Sequence, residues 1–336
     1  MAVSDAAHRV PALRFSEAGL EVAPGGREAG WLVFVSAPEQ AVRIPVVVLR
    51  GPAAGPTVWI QAGLHGDEGD GVVALLRWLE TRRPSDLTGT VIAVPVLNTP
   101  AFRAGGAAYP TEAMNLNRAF AGTGRTWAER FAAWLLPLVL RHADVFLDLH
   151  GGGRSLDVAH FAFCGGGAPS MAHDRGRQLA SASGVRYVCS PPPAHAGALY
   201  QVLAERGVPA VLLEAGGGST WQEQGVAQHL RAIENILKAL GVTTAAASDD
   251  GGVPVTPVFI NRTVELWATE EAVVVARAAP GTEVRAGETV VQLRTLTGEP
   301  RPGIVSPLPS AVVLAIVATA LLPSGGYACL LGERTR

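Results

Sequence analysis

Apolar and polar residues alternate in two recurring patterns over the first 240 residues. Residues 57–60 form a short apolar run with β-branched and aromatic side chains, which predicts a buried strand. From residue 72 to residue 79 apolar side chains recur at helical spacing, which predicts a helix directly after that strand. Further strands are predicted at residues 31–35, 43–49, 90–97, 143–150, 185–189 and 208–218, and further helices at 127–142, 174–183, 198–206 and 224–240. This alternation predicts an α/β sheet with helices on both faces.

A polar stretch of small residues at 243–252 marks the predicted domain boundary. We predict an α/β domain at residues 1–245, which opens with a β segment at 1–50, and a small β domain at 253–336. Residues 279–288 resemble the turn of a barrel-sandwich domain of biotinyl or lipoyl type. Such groups are attached to a lysine, and Lys238 is the only lysine of the chain. The second domain is therefore predicted to be a structural element or a lid.

The composition excludes several classes of protein. A hydrophobic content of 48% and a charged content of 17% are typical of a well-buried globular enzyme. The net charge of −2 provides no field that would attract nucleic acid or anionic lipid, so neither is predicted as a partner. The three cysteines lack CxxC spacing and the first 17 residues lack an apolar signal segment, which favours a reducing cytoplasm. The chain could assemble with copies of itself, and its oligomeric state is left open.

Candidate metal ligands follow two of the predicted strands. His65 and Glu68 lie in the tight turn between the strand at 57–60 and the next helix, and an imidazole and a carboxylate three residues apart there can bind one Zn²⁺. The His-x-x-Glu pattern alone is weak, because a catalytic zinc needs a third donor. His150, at the end of the strand at 143–150, is the third candidate, and together these residues predict a His₂Glu site.

Other polar residues surround this predicted site. Asp148 lies two residues before His150 and faces the same side of a strand, so it either orients that histidine or caps a local group. Glu214 ends an apolar strand without a nearby cation and is the predicted general base for a zinc-activated water. Asn117 and Arg118 offer an amide and a guanidinium to a substrate carboxylate.

Five motifs in the same order resemble the succinylglutamate desuccinylase/aspartoacylase family, which belongs to the wider group of zinc carboxypeptidases. They are HGDE at 65–68, NxPA at 98–101, NLNRxF at 115–120, DLH at 148–150 and ExGG at 214–217. The resemblance covers roughly residues 55–240, and within the family it is closest to deacetylases of N-acetyl-diaminobutyrate type. It implies a zinc-carboxypeptidase-like mixed sheet with helices on both faces, followed by a small all-β domain of barrel-sandwich type.

The resemblance also implies a role for each matching residue. His65, Glu68 and His150 would bind one Zn²⁺ per chain, and Glu214 would be the general acid and base. Asn117 and Arg118 would hold the substrate carboxylate. Relatives place an arginine that stabilises the oxyanion before the NLNR motif, whereas residues 105–109 contain none. Arg103 and Arg154 are the candidates to replace it.

Other apparent motifs lack their partners. Residues 150–153 resemble the HGGG loop of esterases, but the chain has no Gly-x-Ser-x-Gly motif, and its glycine runs lack a Walker lysine. His195, in a Pro/Gly-rich loop, is a candidate for substrate contact, as are Tyr109 and Tyr200.

The sequence thus predicts a cytoplasmic zinc-dependent amidohydrolase that removes the acyl group from an N-acyl amino acid or a related small carboxylated amide. One alternative is a metallocarboxypeptidase that acts on peptide C-termini, since the same site can cleave either amide. Another is a catalytically impaired protein that binds zinc and carboxylates. A C-terminal domain that closes the crevice would favour the small substrate. The acyl group and the amino acid remain open.

Overall fold

A computed structural model describes residues 12–36, 41–165, 169–243 and 255–334 of the chain. Up to residue 243 its strands are β1 (Leu13–Phe15), β2 (Leu20–Val22), β3 (Arg27–Val35), β4 (Ala41–Arg50), β5 (Ala53–Ala62), β6 (Thr88–Val94), β7 (Val145–His150), β8 (Leu156–Cys164), β9 (Tyr187–Cys189) and β10 (Ala210–Gly217). The helices are α1 (Gly69–Thr81), α2 (Thr99–Ala104), α3 (Trp127–His142), α4 (Met171–Ala182), α5 (Leu199–Glu205) and α6 (Glu223–Ala239).

One mixed sheet runs through the described residues. From β8 to β3 its strand order is β8-β10-β7-β5-β6-β4-β3. The central strands β10, β7, β5 and β6 are parallel, whereas β8 runs antiparallel to β10, and β4 runs antiparallel to β6 and β3. The register aligns Gln61 of β5 with Asp148 of β7, and His150 of β7 with Glu214 of β10. The carboxyl ends of three parallel strands therefore lie side by side, where open α/β sheets place their chemistry.

Helices cover both faces of the sheet because side chains alternate along its strands. Trp59, Phe146 and Leu212 face one way, into a buried cluster shared with α3 and α5. The neighbouring Ile60 and Leu147 face the other way, into a cluster shared with α1, α4 and α6. The near-continuous apolar sequence of the central strands is the pattern expected for strands buried on both faces.

The regular elements at residues 255–334 are all strands. They are β11 (Val258–Ile260), β12 (Thr263–Trp267), β13 (Ala272–Arg277), β14 (Glu283–Val284), β15 (Thr289–Arg294), β16 (Pro300–Val305), β17 (Ala311–Val317), β18 (Leu321–Leu322) and β19 (Tyr327–Glu333). Strands β16, β15, β13 and β18 form a separate sheet, and a third apolar cluster fills this region. The predicted fold class, an α/β sheet followed by an all-β region, is confirmed.

The main sheet continues from the α/β region into the C-terminal region. β17 pairs antiparallel with β8, with Ala315 opposite Val158, and β19 and β12 follow β17 in the same sheet. Most of the predicted linker lies in residues 244–254, outside the described residues, so the division at 245 and 253 stays a prediction. Among the described residues, every helix is too short or too polar to cross a lipid bilayer.

Candidate metal centre and active site

The turn between β5 and α1 carries two of the three candidate metal ligands. Gly63 adopts a left-handed conformation, with φ of 64°, directly after β5 ends. A Cβ atom at Gly66 would lie 2.2 Å from the backbone of residues 101 and 102, so only glycine fits there. This close packing fixes His65 on one side of the turn and Glu68, the residue that precedes α1, on the other.

The Glu68 carboxylate lies between two imidazoles. Its Oε1 is 2.7 Å from His65 Nδ1, and its Oε2 is 2.9 Å from His150 Nδ1. The two imidazole rings have centroids 5.0 Å apart, and one donor atom from each of the three residues lies within 4.8 Å of the others. The sequence prediction placed these three residues together, and the structure brings them within reach of one metal ion.

The electrostatics of the cluster follow from burial and close contact. Burial raises the pKa of Glu68, but the adjacent imidazoles of His65 and His150 outweigh it and lower that pKa to about 2. Burial lowers the pKa of His150, but the carboxylates of Asp148 and Glu68 outweigh it and hold that pKa well above its usual value. The Glu68 carboxylate is therefore ionised at neutral pH, as a metal ligand must be.

A second layer of polar contacts surrounds His150. Asp148 is fully buried, with its Oδ2 3.2 Å from His150 Nε2. Its Oδ1 accepts a hydrogen bond of 3.1 Å from the Gln61 side chain, whose own oxygen accepts one from the Trp59 indole. Buried His229 lies with its Nε2 2.9 Å from the carbonyl oxygen of His150. Of the two readings of Asp148, these contacts support the one in which it orients the histidine.

Glu214 lies beside His150 on the neighbouring strand and lines the same cavity. Burial raises its pKa well above the usual range, and repulsion from Glu68 adds to the effect, while His150 and Arg118 oppose it. A partly buried carboxyl group with a raised pKa beside a cluster of metal donors has the properties of a proton carrier.

The donor cluster opens into a cavity of about 470 Å³, a size that suits a small molecule. Arg118 and Asn117 line it, as the sequence predicted for contacts with substrate, and so does His195. Asn117 is buried, and its Oδ1 accepts a hydrogen bond of 3.0 Å from Leu199 N at the start of α5. The Arg118 guanidinium donates to the Asn117 carbonyl oxygen. Asn117 therefore also fixes the segment that presents Arg118.

The remaining candidates lie outside this cavity. Arg103 is exposed in the last turn of α2, and Arg154 packs near Gly105 beside a separate, smaller cavity. Tyr109 stacks on Trp127, with ring centroids 4.0 Å apart. Tyr200 is fully buried, and its hydroxyl accepts a hydrogen bond from Gln201. In the described part of the chain, Arg118 is thus the only arginine or lysine that lines the main cavity.

The C-terminal strands supply a wall of the cavity that the sequence analysis did not identify. Glu265 and Trp267 of β12 and Tyr327 of β19 all line it. No strand was predicted at residues 263–267. Their short alternating pattern does not indicate which of the side chains line a cavity and which are exposed to solvent. Asn115 was also missed as a site residue, although it belongs to the NLNR motif: its Oδ1 is 2.9 Å from His65 Nε2.

The fold and the donor set define an α/β protein with a candidate mononuclear metal site. Two imidazoles and one carboxylate that surround a cavity have the chemistry of a catalytic zinc site with an open position. Residues 54–240 match the model of the succinylglutamate desuccinylase/aspartoacylase catalytic domain. This segment is more than half of the 336 residues, and the chain belongs to that family. The resemblance seen in the motifs is confirmed.

Three relatives place the chain within the family. Over 204 residues it is 37% identical to the N-alpha-acetyl-L-2,4-diaminobutyric acid deacetylase of Halomonas elongata, a match that spans 60% of this chain and only 59% of that protein. The product-bound ectoine utilization protein EutE (DoeB) from Ruegeria pomeroyi is 25% identical, with a TM-score of 0.84 over 96% of this chain and 99% of that one. A succinylglutamate desuccinylase from Silicibacter sp. TM1040 is 25% identical, with a TM-score of 0.81 over 94% and 97% of the two chains.

Proposed function

We propose that the chain is a zinc-dependent amidohydrolase that removes the acyl group from an N-acyl amino acid or a related small carboxylated amide. The observation that carries this proposal is the convergence of His65, Glu68, His150 and Glu214 on one cavity. His65, Glu68 and His150 would hold the Zn²⁺. Zinc, when bound, supplies Lewis acidity toward an amide carbonyl and toward water.

Glu214 carries the proton in the proposed reaction. Its carboxylate accepts a proton from the attacking water as the oxygen–carbon bond forms, and it returns the proton to the amine nitrogen as the carbon–nitrogen bond breaks. The raised pKa of Glu214 suits this return step, because a weaker acid holds the proton until the amine leaves. A bound dication nearby would stabilise the ionised form that starts the cycle.

Arg118 anchors the substrate carboxylate. A guanidinium can bind a carboxylate through two parallel hydrogen bonds, which fixes both position and orientation. Burial lowers the pKa of Arg118, although neighbouring acidic groups oppose the shift. An anionic group of the substrate would offset part of the cost of burying this cation. Asn117 holds the backbone that carries Arg118, as its hydrogen bond to α5 indicates.

The wall that the C-terminal region adds to the cavity favours small substrates over peptide C-termini. Trp267 and Tyr327 line the cavity on that side, which reduces the room into which a peptide could extend. The name of the Halomonas elongata relative, a deacetylase of an acetylated amino acid, supports the same reaction class. We place the enzyme in the cytoplasm, a proposal that three buried free cysteines support.

The test combines metal analysis with a substrate panel. Purified protein should contain about one zinc per chain and should release acetate from N-acetyl amino acids but not amino acids from dipeptides. Glu214→Gln should keep the zinc and the fold while kcat falls by about 10³ or more, within the range seen for loss of an essential catalytic group. A matched control is Glu299→Gln, an exposed carboxylate of the C-terminal region. A zinc-loaded parent without activity on any acyl amide would instead favour the binding protein.

A further inference from the structure

We propose that one part of the cavity is an acyl subsite, so that the preferred substrate is an N-acyl amino acid whose acyl group is an apolar chain longer than acetyl. This inference rests on the proposed hydrolase function and adds the class of the acyl group. The acyl subsite consists of cavity-lining residues from β8, β17 and β18: Leu156, Val158, Ala315, Val317 and Leu322.

A row of side chains across the sheet connects the proposed proton carrier to the acyl subsite. Glu214 of β10 lies opposite Phe161 of β8, and Val158 of β8 lies opposite Ala315 of β17. Residues opposite each other on neighbouring strands share one face of a sheet, and these four all line the cavity. Adjacent strands lie about 4.8 Å apart, so β17 lies about 10 Å from β10, far enough for a chain of about six carbons.

The acyl subsite is apolar and largely withdrawn from water. Ala315, Val317 and Leu322 are between 2% and 4% exposed, and Leu156 and Val158 are partly buried. An alkyl chain that covers these side chains would remove further apolar surface from water, which favours its binding.

Charged groups are absent from the acyl subsite in the part of the chain that the structure describes. Asp157 lies between two of its residues in β8, but its carboxylate is paired with the Arg277 guanidinium at 2.9 Å and does not line the cavity. A carboxylate or an ammonium on the acyl group would therefore lose its hydration without gaining a partner of opposite charge. The subsite thus favours an alkyl chain over a charged acyl group.

The amino-acid part of the substrate has its binding groups outside the acyl subsite. Arg118 is the proposed anchor of the substrate carboxylate, and Glu265 and Glu214 act on it electrostatically. With the carboxylate at Arg118 and the amide at the metal donors, the acyl group is the part of the molecule beyond the amide. The acyl group is therefore the part that is free to extend over β8 and β17.

The cavity has room for a group larger than acetyl. Its volume is about 470 Å³. Cavities of this size bind ligands of drug size, whereas an N-acetyl amino acid has only about a dozen non-hydrogen atoms. Exposed residues, namely Ser155, Thr319 and Pro323, line the cavity near the acyl subsite, so the end of a long chain can approach solvent.

The experiment compares N-acetyl-alanine with two isomers that each carry four more methylene groups. N-hexanoyl-alanine has them on the acyl group, and N-acetyl-2-aminoheptanoate has them on the side chain. The zinc-loaded wild type should prefer N-hexanoyl-alanine to N-acetyl-alanine by about 30-fold or more in kcat/KM, because each buried methylene favours binding by about fourfold. The gain for N-acetyl-2-aminoheptanoate should be at least tenfold smaller.

Two substitutions at one position test the acyl subsite itself. Val158→Phe fills part of it, and Val158→Thr keeps the shape of valine but adds a hydroxyl. The ratio of kcat/KM for N-hexanoyl-alanine to that for N-acetyl-alanine should fall at least tenfold in the first variant and about threefold or more in the second. Val275→Phe, at an exposed position of β13, is the matched control and should leave the ratio unchanged. Zinc content and circular dichroism verify folding, and the threonine variant decides if the phenylalanine variant does not fold.

Binding provides a second readout that does not depend on turnover. In the Glu214→Gln background, calorimetry should show tighter binding of N-hexanoyl-alanine than of N-acetyl-alanine, and adding Val158→Phe should reduce this preference at least tenfold. Equal kcat/KM for these two substrates, or an equal gain for N-acetyl-2-aminoheptanoate, would overturn the acyl subsite while the hydrolase function stands.

A different result would bear on the proposed function. A wild type that hydrolyses none of the three substrates and no other N-acetyl amino acid would overturn the hydrolase. Calorimetry would then decide the acyl subsite: tighter binding of N-hexanoyl-alanine would support it, and equal or absent binding would overturn it.

Discussion

Asp148 connects the candidate metal ligands to the interior of the sheet. It contacts His150 Nε2 on one side and accepts a hydrogen bond from Gln61 on the other. We expect Asp148→Asn to weaken zinc binding by about 10- to 100-fold. A neutral amide would not raise the basicity of the imidazole as the carboxylate does, and it would orient the ring less strongly. Chelator competition measures the affinity. Asp174→Asn, at an exposed position of α4, is the control, and equal affinity in both variants would restrict Asp148 to a local structural role.

We expect His229 to make the stability of the folded protein depend on pH. Burial lowers its pKa to about 4, whereas an exposed histidine in the unfolded chain titrates near 6.5. As the pH falls from about 6.5 towards 4, the unfolded chain gains a proton that the folded chain does not, so stability decreases, by up to about 3 kcal/mol. His229→Gln keeps a donor for the His150 carbonyl. It should lower the number of protons taken up on unfolding in this pH range by about one, so that stability depends less steeply on pH.

Urea unfolding of the metal-free protein between pH 5 and pH 7 measures the effect. The half-buried His173 offers a control, since His173→Gln changes a histidine on a different helix. An unchanged slope in the His229 variant would assign the acid sensitivity to other groups.

At the level of single residues, the sequence predicts the metal donors because they occur where apolar strands end. His65, Glu68, His150 and Glu214 each follow or end such a run, and parallel strands bring their ends together. Glu265 could not be found in this way. It lies inside a short strand whose partner, β19, is more than 60 residues away, and no local pattern tells which side chains face the cavity.

The contact between α1 and β7 sets the relative position of two candidate metal ligands, because Glu68 precedes α1 and His150 ends β7. A Cβ atom at Gly71 of α1 would lie 2.6 Å from Leu149 Cβ and 3.0 Å from the Leu149 carbonyl oxygen. Gly71→Ala should therefore destabilise the protein by about 1–3 kcal/mol, the usual cost of overpacking, and should weaken metal binding because Leu149 precedes His150. Denaturant unfolding and metal titration measure the two effects.

Gly106 offers the matched control, because a Cβ atom there would meet nothing within 4 Å. Gly106→Ala should change stability by less than about 0.5 kcal/mol, as is usual for surface substitutions. If Gly71→Ala changed stability and metal binding as little as Gly106→Ala does, helix α1 would be able to shift without disturbing β7.

Secondary structure was predictable for those elements whose own sequence has a strong hydrophobic periodicity. Helix α3 begins and ends at the residues that its amphipathic pattern predicts, and Thr126 with Glu129 forms a capping box at its start. Strand β8 was not predicted, because Asp157 and His160 interrupt its apolar residues. Its antiparallel pairing with β10 and β17 stabilises it through contacts distant in sequence.

For the molecule as a whole, we expect metal removal to lower stability without unfolding the chain. The three apolar clusters do not depend on the donors, so chelation should leave the far-ultraviolet circular dichroism unchanged. The midpoint of thermal unfolding should fall by several degrees, because saturating metal at about 100 times its Kd contributes about 2.7 kcal/mol. Re-addition of zinc should restore the midpoint, and a chelated protein that unfolds at room temperature would contradict this expectation.

The overall architecture was predictable from the alternation of elements, but the junction between the two regions was not. The composition around residue 243 indicates a boundary, yet hydrogen bonds between β8 and β17 carry one sheet across both regions. Such pairing depends on register between strands about 160 residues apart in the chain.

The antiparallel pairing of β17 with β8 joins the two regions beside the cavity, because Val158 and Ala315, which lie opposite each other, both line it. The candidate metal ligands and the proposed proton carrier lie before residue 243, whereas Glu265, Trp267 and Tyr327, which line the same cavity, lie after residue 255. Substitutions in the C-terminal strands can therefore reshape this wall without altering the donor atoms, provided that β17 still pairs with β8.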